Sequence, residues 1–292
     1  MAGPAPLVAA AVQWYTRSAR DLPWRAPGVR PWAVLVSEVM LQQTPVERVL
    51  PAYRAWLARW PSPGTLAAAS PGEAVRMWGK LGYPRRALRL HECAVMIRDR
   101  LGGRVPSDLP ELLGLPGIGA YTARAVAVFA FGQRHPVVDT NVRRVIARAV
   151  SGRAAAGAPS AARDHAAVAA LLPAEPAAAA RASVALMELG ALVCTSRSPR
   201  CSQCPIAAQC AWRLAGFPAE AGSAIRRQQF AGTDRQVRGL LMDVLRASDD
   251  PVSHAALDVT WPDAVQRERA LATLIADGLV RRVPGARFAL PT

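Results

Sequence analysis

Lysine is almost missing from this chain: of its 36 basic residues, Lys80 is the sole lysine and the rest are arginines. Lysine is the side chain that forms Schiff bases, so covalent amine chemistry has one position available to it. Acidic residues are also scarce, 21 against 36 basic ones, which leaves a formal net charge of +15. Long apolar runs are absent. Half the residues are apolar, many of them alanine, yet no stretch reaches the roughly 18 uninterrupted residues of a membrane span. The opening MAGPAPLVAAAVQWY has no positive segment ahead of its apolar residues, unlike a signal peptide. Its Leu7, Ala11 and Trp14 share one helical face, the pattern of a short amphipathic helix. No clear strand pair appears before residue 230. A soluble cytoplasmic protein, bacterial and working at the nucleoid, is the expectation.

The charge is unevenly spread. Residues 1–233 hold 28 basic and 13 acidic side chains, a net of +15, whereas residues 234–292 hold eight of each, a net of zero. The basic surface therefore belongs to the first part, where it suits phosphate contact with counterion release. The plain alternative is that arginine keeps the protein soluble.

A length of 292 residues suits about two domains. Apolar spacing of the helical period predicts helices over 32–43, 47–59, 72–79, 85–101, 108–113, 120–131, 140–151, 162–172 and 179–192, with proline and glycine between them. The stretch 151–161 reads as a loop and the alanine-rich 174–182 as a helix entrance. Residues 214–233 read as a linker. Beyond it, helices over 234–247, 253–258 and 263–277 precede two short strands around Pro284-Gly285, a pattern that resembles a winged helix. With no net charge, this C-terminal module suits a packing role as well as a DNA-binding one.

Cys194, Cys201, Cys204 and Cys210 have the spacing C-x6-C-x2-C-x5-C. Four thiols this close in a cytoplasmic chain point to a metal site rather than disulfides. Zinc and iron–sulfur clusters both accept four cysteines, and the spacing leaves both open. Cys93 lies on the apolar face of a helix and reads as a core thiol. Arg197 and Arg200 fall between the first two ligands, where a pinned loop would present two guanidinium groups to a phosphate.

Leu115-Pro116-Gly117-Ile118-Gly119 places two glycines two apart, between one apolar helix and the start of another. The glycines permit a tight turn, and the free N–H groups of the following helix make an anion site, hence a phosphate-binding hairpin. Two carboxylates stand out. Glu38 and Ser37 interrupt the otherwise apolar AVLVSEVML, so Glu38 is expected to be buried, with its acid form favoured, which suits a general acid. A buried glutamate paired with an arginine is the structural alternative. Asp139 stands where the apolar PVV meets a helix; an N-cap is the simple reading, and a capped carboxylate that stays ionised also suits stabilisation of a cationic sugar.

Taken in order, SEVMLQQT, GKLGYPRRA, LPGIGAYTA, VVDTNV and the cysteine spacing resemble the MutY-type adenine DNA glycosylases of the helix-hairpin-helix superfamily, over roughly residues 12–213. The resemblance implies a mainly α fold of two helical lobes in a 1–213 catalytic domain. A hairpin lobe of about 30–135 is set between the parts of a cluster lobe, 1–29 and 136–213. It implies a 4Fe–4S cluster rather than zinc, held by Cys194, Cys201, Cys204 and Cys210, and double-stranded DNA containing an adenine mispair as partner, bound by a monomer. Carried over by position, Glu38 matches the glutamate that protonates the flipped adenine and activates water. Asp139 matches the aspartate that stabilises the sugar, and Tyr121 and Asn141 match its helpers. Trp24 and Arg25 match the adenine pocket. Gln43, Thr44, Leu81 and Tyr83 match residues touching the partner guanine or 8-oxoguanine, with Tyr83 as the wedge that fills the vacated stack; Gln42 adjoins them.

The related endonuclease III places a nucleophilic lysine where this chain has Tyr121, so base removal without strand cutting is expected. A thymine glycosylase of T:G mispairs shares the tyrosine hairpin, and a non-catalytic iron–sulfur DNA-binding protein is a further reading. Two features depart from the family. Pro84 stands where many members have a second aromatic, and the neutral 59-residue tail stands where a Nudix-like domain is expected. Readout of the partner base is then expected to rest on Gln43, Thr44, Leu81 and Tyr83, with weaker discrimination of 8-oxoguanine from guanine.

Overall fold

The computed structural model describes residues 4–219 and 230–292, so most of the linker expected over 214–233 lies outside the described residues. In chain order the helices are α1 (Pro4–Ser18), α2 (Pro31–Leu41), α3 (Val46–Arg59), α4 (Pro63–Ala67), α5 (Pro71–Trp78), α6 (Arg85–Arg100), α7 (Leu109–Leu113) and α8 (Ala120–Phe131). There follow α9 (Thr140–Ala149), α10 (Ala161–Ala169), α11 (Pro176–Leu192), α12 (Ala211–Leu214), α13 (Asp234–Ala247), α14 (His254–Asp258) and α15 (Ala264–Ala276). The strands are β1 (Val252–Ser253), β2 (Arg281–Val283) and β3 (Arg287–Ala289). The mainly helical class expected from periodicity is what the chain adopts. No described helix is long and apolar enough to cross a membrane. The short α4 was not expected: its 62–67 stretch carries little periodicity, and its start is set locally. The Ser62 side chain accepts from Thr65 N, and Pro63 occupies the first turn, where its missing N–H costs nothing. Ser70 and Glu73 form the same reciprocal cap on α5.

The described residues form two compact units, 4–34 with 107–113 and 118–219, and 35–106 with 114–117 and 230–292. In the first, α11 is the central element. Its Ala179, Ala182, Ala185, Leu186 and Leu189 are buried with Leu7 and Ala11 of α1 and Val142, Val145 and Ile146 of α9. The abundance of alanine becomes intelligible here, because small side chains let helix axes approach closely. The approach is tightest at Gly190, where a Cβ would stand 2.7 Å from the Asn141 Cβ and 2.8 Å from its carbonyl oxygen.

The second unit centres on tryptophan. Trp56 meets Trp60 and Trp78 edge-on, with ring centroids 4.7 and 5.7 Å away. The C-terminal module belongs to this unit. Its three antiparallel strands run in the order β1-β3-β2, with Val252 opposite Phe288 and Phe288 opposite Arg282. Helix, strand, two helices and a hairpin turning at Pro284-Gly285 give the winged-helix pattern expected; β1 is an addition, too short to leave a sequence period. The module is seated on α5 by polar contacts to main chain: Arg76 Nη2 donates to Ser248 O at 2.8 Å, and Arg246 Nε donates to Val75 O at 3.2 Å. At Gly72 any side chain would stand 2.4 Å from the Pro291 carbonyl oxygen, so the tail closes onto bare backbone. Residues 118–135 pack with the α11 unit through Tyr121, Ala125 and Val128, whose cluster includes Met187.

Candidate active site and metal centre

In the first unit Cys194, Cys201, Cys204 and Cys210 line one small cavity with Val145, Ala149, Val193 and Ile206, and none of them is in a disulfide. Cys93, the fifth cysteine, is fully buried and its thiol is pushed up to about 12 by desolvation, as a core position requires. Four thiols converging on one apolar-walled cavity fit a cysteine-ligated cluster, whose sulfurs take hydrogen bonds from nearby donors. Arg148 supplies such a donor. Buried in α9, it directs Nη1 at Cys194 Sγ (3.5 Å) and Thr195 O (2.7 Å), Nη2 at Ser196 O (3.0 Å), and lies over the Trp212 ring at 4.8 Å. A sequence reading missed it, because one arginine among five in α9 and its flanks carries no mark of burial. Arg197 and Arg200 are both exposed on the loop between the first two cysteines, as a phosphate-facing role needs.

At the opposite, N-terminal end of α9 the second predicted group is assembled. Asp139 does cap the helix: its Oδ1 accepts from Val142 N at 2.7 Å. Its Oδ2 accepts from Asn141 Nδ2 at 2.8 Å. Asn141, the only asparagine in the chain, in turn accepts at Oδ1 from Arg144 Nη2 at 2.8 Å. Arg144 donates onward to Gly190 O at 2.7 Å and, through Nε, to Cys194 O at 2.6 Å. An unbroken run of hydrogen bonds therefore joins the Asp139 carboxylate to the backbone of the first cysteine. Cap and candidate catalytic group are one arrangement, and Gly190 is bare so that α11 can reach it.

Trp24 is buried in a short turn over Pro23–Arg25. Arg25 is held by an ion pair: its Nη1 lies 2.9 Å from Glu188 Oε2. Glu188, fully buried in α11, also accepts from Arg20 at Nε (2.8 Å), Nη2 (2.7 Å) and N (3.1 Å). Burial pushes its pKa up, but the two guanidinium groups outweigh that and hold it below the usual 4.5. Replacing Glu188 by Gln should leave Arg25 and Arg20 without a counter-charge and cost about 3 kcal/mol, the lower end for a broken buried pair because Arg20 is one-third exposed. A carboxylate with a depressed pKa stabilises above its unfolded value. The wild-type advantage over Glu188→Gln in denaturant titrations should thus be full at pH 7 and shrink as pH falls below 4.5.

In the second unit Glu38 is 6% exposed on α2, flanked by Ser37, Val36, Val39 and Met40, all buried. The burial expected from its apolar neighbours is present. Just beyond, Gln42, Gln43 and Thr44 turn the chain, with Gln43 at φ +55°, and Leu81, Gly82 and Tyr83 form a second turn, with Tyr83 at φ +48°. Left-handed non-glycine residues are uncommon, and two in facing turns mark a constrained place. One side chain ties the turns together. Arg86 Nη1 donates to Val39 O (2.8 Å) and Gln42 O (2.7 Å), and Nη2 to Thr44 Oγ1 (3.0 Å) and Gly82 O (3.0 Å). Burial lowers its pKa to about 10, so it remains charged at neutral pH. Thr44 Oγ1 also reaches Leu81 O at 3.3 Å. Gln42, Gln43, Thr44, Leu81 and Tyr83 therefore lie in two tied turns, with Gln43 and Tyr83 exposed and Thr44 and Leu81 buried. Arg86 was not singled out from sequence, although an arginine in a helix's first turn, against the macrodipole, is a signal that it serves something else.

Leu115 and Ile118 of the hairpin are buried, and Gly117 (φ +76°) leaves no room for a side chain, whose Cβ would stand 2.6 Å from the Arg89 Cβ. Gly119 opens α8 without a side-chain cap and faces open space, so the first amides of α8 are approachable. Tyr121 follows in the first turn of α8, and Lys80 is exposed and paired with Asp243 at 3.3 Å.

Comparison with known proteins follows the same lines. Residues 36–165 match the HhH-GPD superfamily base excision DNA repair proteins, and residues 194–210 match the iron–sulfur binding domain of endonuclease III. The chain is 61% identical over 279 residues to an adenine DNA glycosylase of Mycobacterium tuberculosis, covering 95% of this chain and 91% of that one. It is 60% identical to an adenine DNA glycosylase of Mycolicibacterium smegmatis over 96% and 94% of the two chains. Among solved structures, a thermostable thymine-DNA glycosylase superposes with a TM-score of 0.64 at 27% identity, covering 71% of this chain and 95% of that one. Against this background the cysteine cavity is a 4Fe–4S site, the choice that spacing alone left open.

Proposed function

The chain belongs to the adenine DNA glycosylases of the HhH-GPD superfamily of base excision repair proteins, and from that premise we propose that it hydrolyses the bond between sugar and adenine where adenine is mispaired with 8-oxoguanine or guanine, without cutting the strand. The observation that carries the chemistry is Glu38, a carboxyl group buried in an apolar helix. Adenine leaves poorly as an anion. A proton passed from Glu38 to a ring nitrogen lets the C–N bond break with its electron pair going to a neutral base. The sugar is left as an oxocarbenium-like cation, and water adds to it while the Glu38 carboxylate takes up the released proton. Asp139, held by Val142 N and Asn141, offers negative charge to that cation, and the division of labour is that of the two-carboxylate glycosidases. The base must first leave the stack, at a cost of a few kcal/mol, and the paired turns that carry Gln42, Gln43, Thr44, Leu81 and Tyr83 are suited to hold the partner base and fill the gap. Cys194, Cys201, Cys204 and Cys210 would hold the 4Fe–4S cluster and with it pin the loop that offers Arg197 and Arg200 to the DNA backbone. Trp24 and Arg25 line the adenine side, with Arg25 oriented by Glu188. The approachable amides of the 115–119 hairpin grip a phosphate. The protein acts on the duplex as a monomer.

Strand cutting by a glycosylase of this kind needs an amine to displace the base and form a Schiff base. Tyr121 is not an amine, and Lys80, the sole lysine, lies in a different motif, exposed at the surface. Purified protein on duplexes containing A:8-oxoG, A:G, T:G or oxidised pyrimidines should release adenine from the first two, and breaks should appear only after alkali. Breaks without alkali at the rate of base loss would overturn the monofunctional reading. Release of thymine in preference to adenine would overturn the substrate.

A further inference from the structure

The C-terminal module is neutral, and four of its eight arginines pair with its own carboxylates. Arg238 pairs with Asp277 at 2.6 Å, Arg267 with Asp258 at 2.7 Å, Arg269 with Asp234 at 2.7 Å, and Arg246 lies 3.7 Å from Asp243. Of the four without a carboxylate, Arg281, Arg282 and Arg287 lie on the β2–β3 strands, and Arg235 alone is on α13. It is exposed, it has no carboxylate within ion-pair distance among the described residues, and it lies in the first turn of α13, where the helix dipole disfavours a cation. Its neighbour Asp234 is already taken by Arg269. What Arg235 does contact is aromatic: its guanidinium carbon lies 5.3 Å from the centroid of Tyr83 and 5.8 Å from that of Phe230. Arg86 flanks the same tyrosine at 5.6 Å and also lies 5.1 Å from Trp78. Phe230, Arg235, Tyr83, Arg86 and Trp78 thus alternate ring and cation from the surface into the core. Tyr83 is half exposed and on a left-handed backbone, so its ring has few other contacts to hold its direction.

We propose that Arg235 is a positioning residue for Tyr83, and that through it the C-terminal module takes part in opening the mispair and reading the base opposite adenine. The proposal rests on the reading of Tyr83 as the wedge. With the ring already fixed by two guanidinium groups, less side-chain freedom is lost when it enters the stack. The uncompensated charge of Arg235 then lies beside the DNA backbone that the wedge parts. This gives the neutral module a task that its net charge hides: one arginine of its eight is placed where the partner base is met.

The test is a double-mutant cycle in the full chain, reading the single-turnover rate of adenine release with enzyme in excess, on both A:8-oxoG and A:G. An exposed cation–π contact is worth a factor of about two to five, so Arg235→Ala should slow release by about that much. The loss should vanish when Tyr83 is already Ala. Arg235→Lys should recover most of the rate, and the melting temperature should not move, since Arg235 is exposed. An equal loss in the Tyr83→Ala background, no loss in either, or a loss that tracks a fall in melting temperature would overturn the proposal while leaving the wedge reading in place. A Tyr83→Ala variant with the wild-type rate would instead remove the wedge reading and the proposal with it.

Discussion

Replacing Glu38 by Gln should lower the single-turnover rate of adenine release by about 10²–10⁴-fold, the range that a positioned general acid supplies. The amide has nearly the shape of the carboxyl and is equally able to sit in the buried position, which is 6% exposed in the wild type. It has no proton to give to adenine and cannot take one from water. The variant should therefore keep the visible absorbance of its iron–sulfur cluster, its melting temperature to within a few degrees, and its affinity for the A:8-oxoG duplex. That combination separates chemistry from folding, because a structural glutamate would show its loss in stability first. It also separates this chain from a non-catalytic DNA-binding iron–sulfur protein. Base release at about the wild-type rate by Glu38→Gln would end the acid–base reading whatever the family.

Two glutamates show how far such a reading reaches from sequence. Glu38 in AVLVSEVML and Glu188 in SVALMELGAL are both single carboxylates in apolar helical stretches, and both are buried. The rule that a helix apolar on all sides lies inside finds both, yet it cannot name the partners of either. Glu188 is clamped by Arg20 and Arg25 from more than 160 residues away. Local pattern carries no trace of such a partner. The same limit applies to Arg86 and Arg148, whose burial depends on where carbonyls of distant turns converge. What was legible had a local cause. The cysteine spacing has one, as do the two glycines before α8 and Asp139 at the head of α9. The seating of the C-terminal module was not legible, since it rests on Arg76 and Arg246 reaching main-chain oxygens and on the bare Gly72.

Asp139 offers the second large effect, and the choice of substitution decides what is learned. Asparagine is as good an N-cap as aspartate, so Asp139→Asn leaves the helix start served. In place of a second carboxylate oxygen it brings an amide donor, which then meets the Asn141 Nδ2 donor that Oδ2 accepts from in the wild type. Asn141 cannot turn its amide over to help, because its Oδ1 is held by Arg144. The unmade bond should cost about 1–2 kcal/mol of stability. The lost charge should lower the rate of adenine release much more, by about 10²–10³-fold, as removal of a preorganised electrostatic partner does. Asp139→Ala should match that rate and lose the cap as well, for about 1 kcal/mol further. Asn141→Ala keeps the carboxylate but frees its direction and unties Arg144 from the site, so its rate should fall between the two. Rates ordered wild type, Asn141→Ala, Asp139→Asn would mean that charge at this position does the work and that the run of hydrogen bonds to Cys194 O aims it. If Asp139→Asn releases adenine at about the wild-type rate, the aspartate is a cap and nothing more, and the developing cation must be met by some other group.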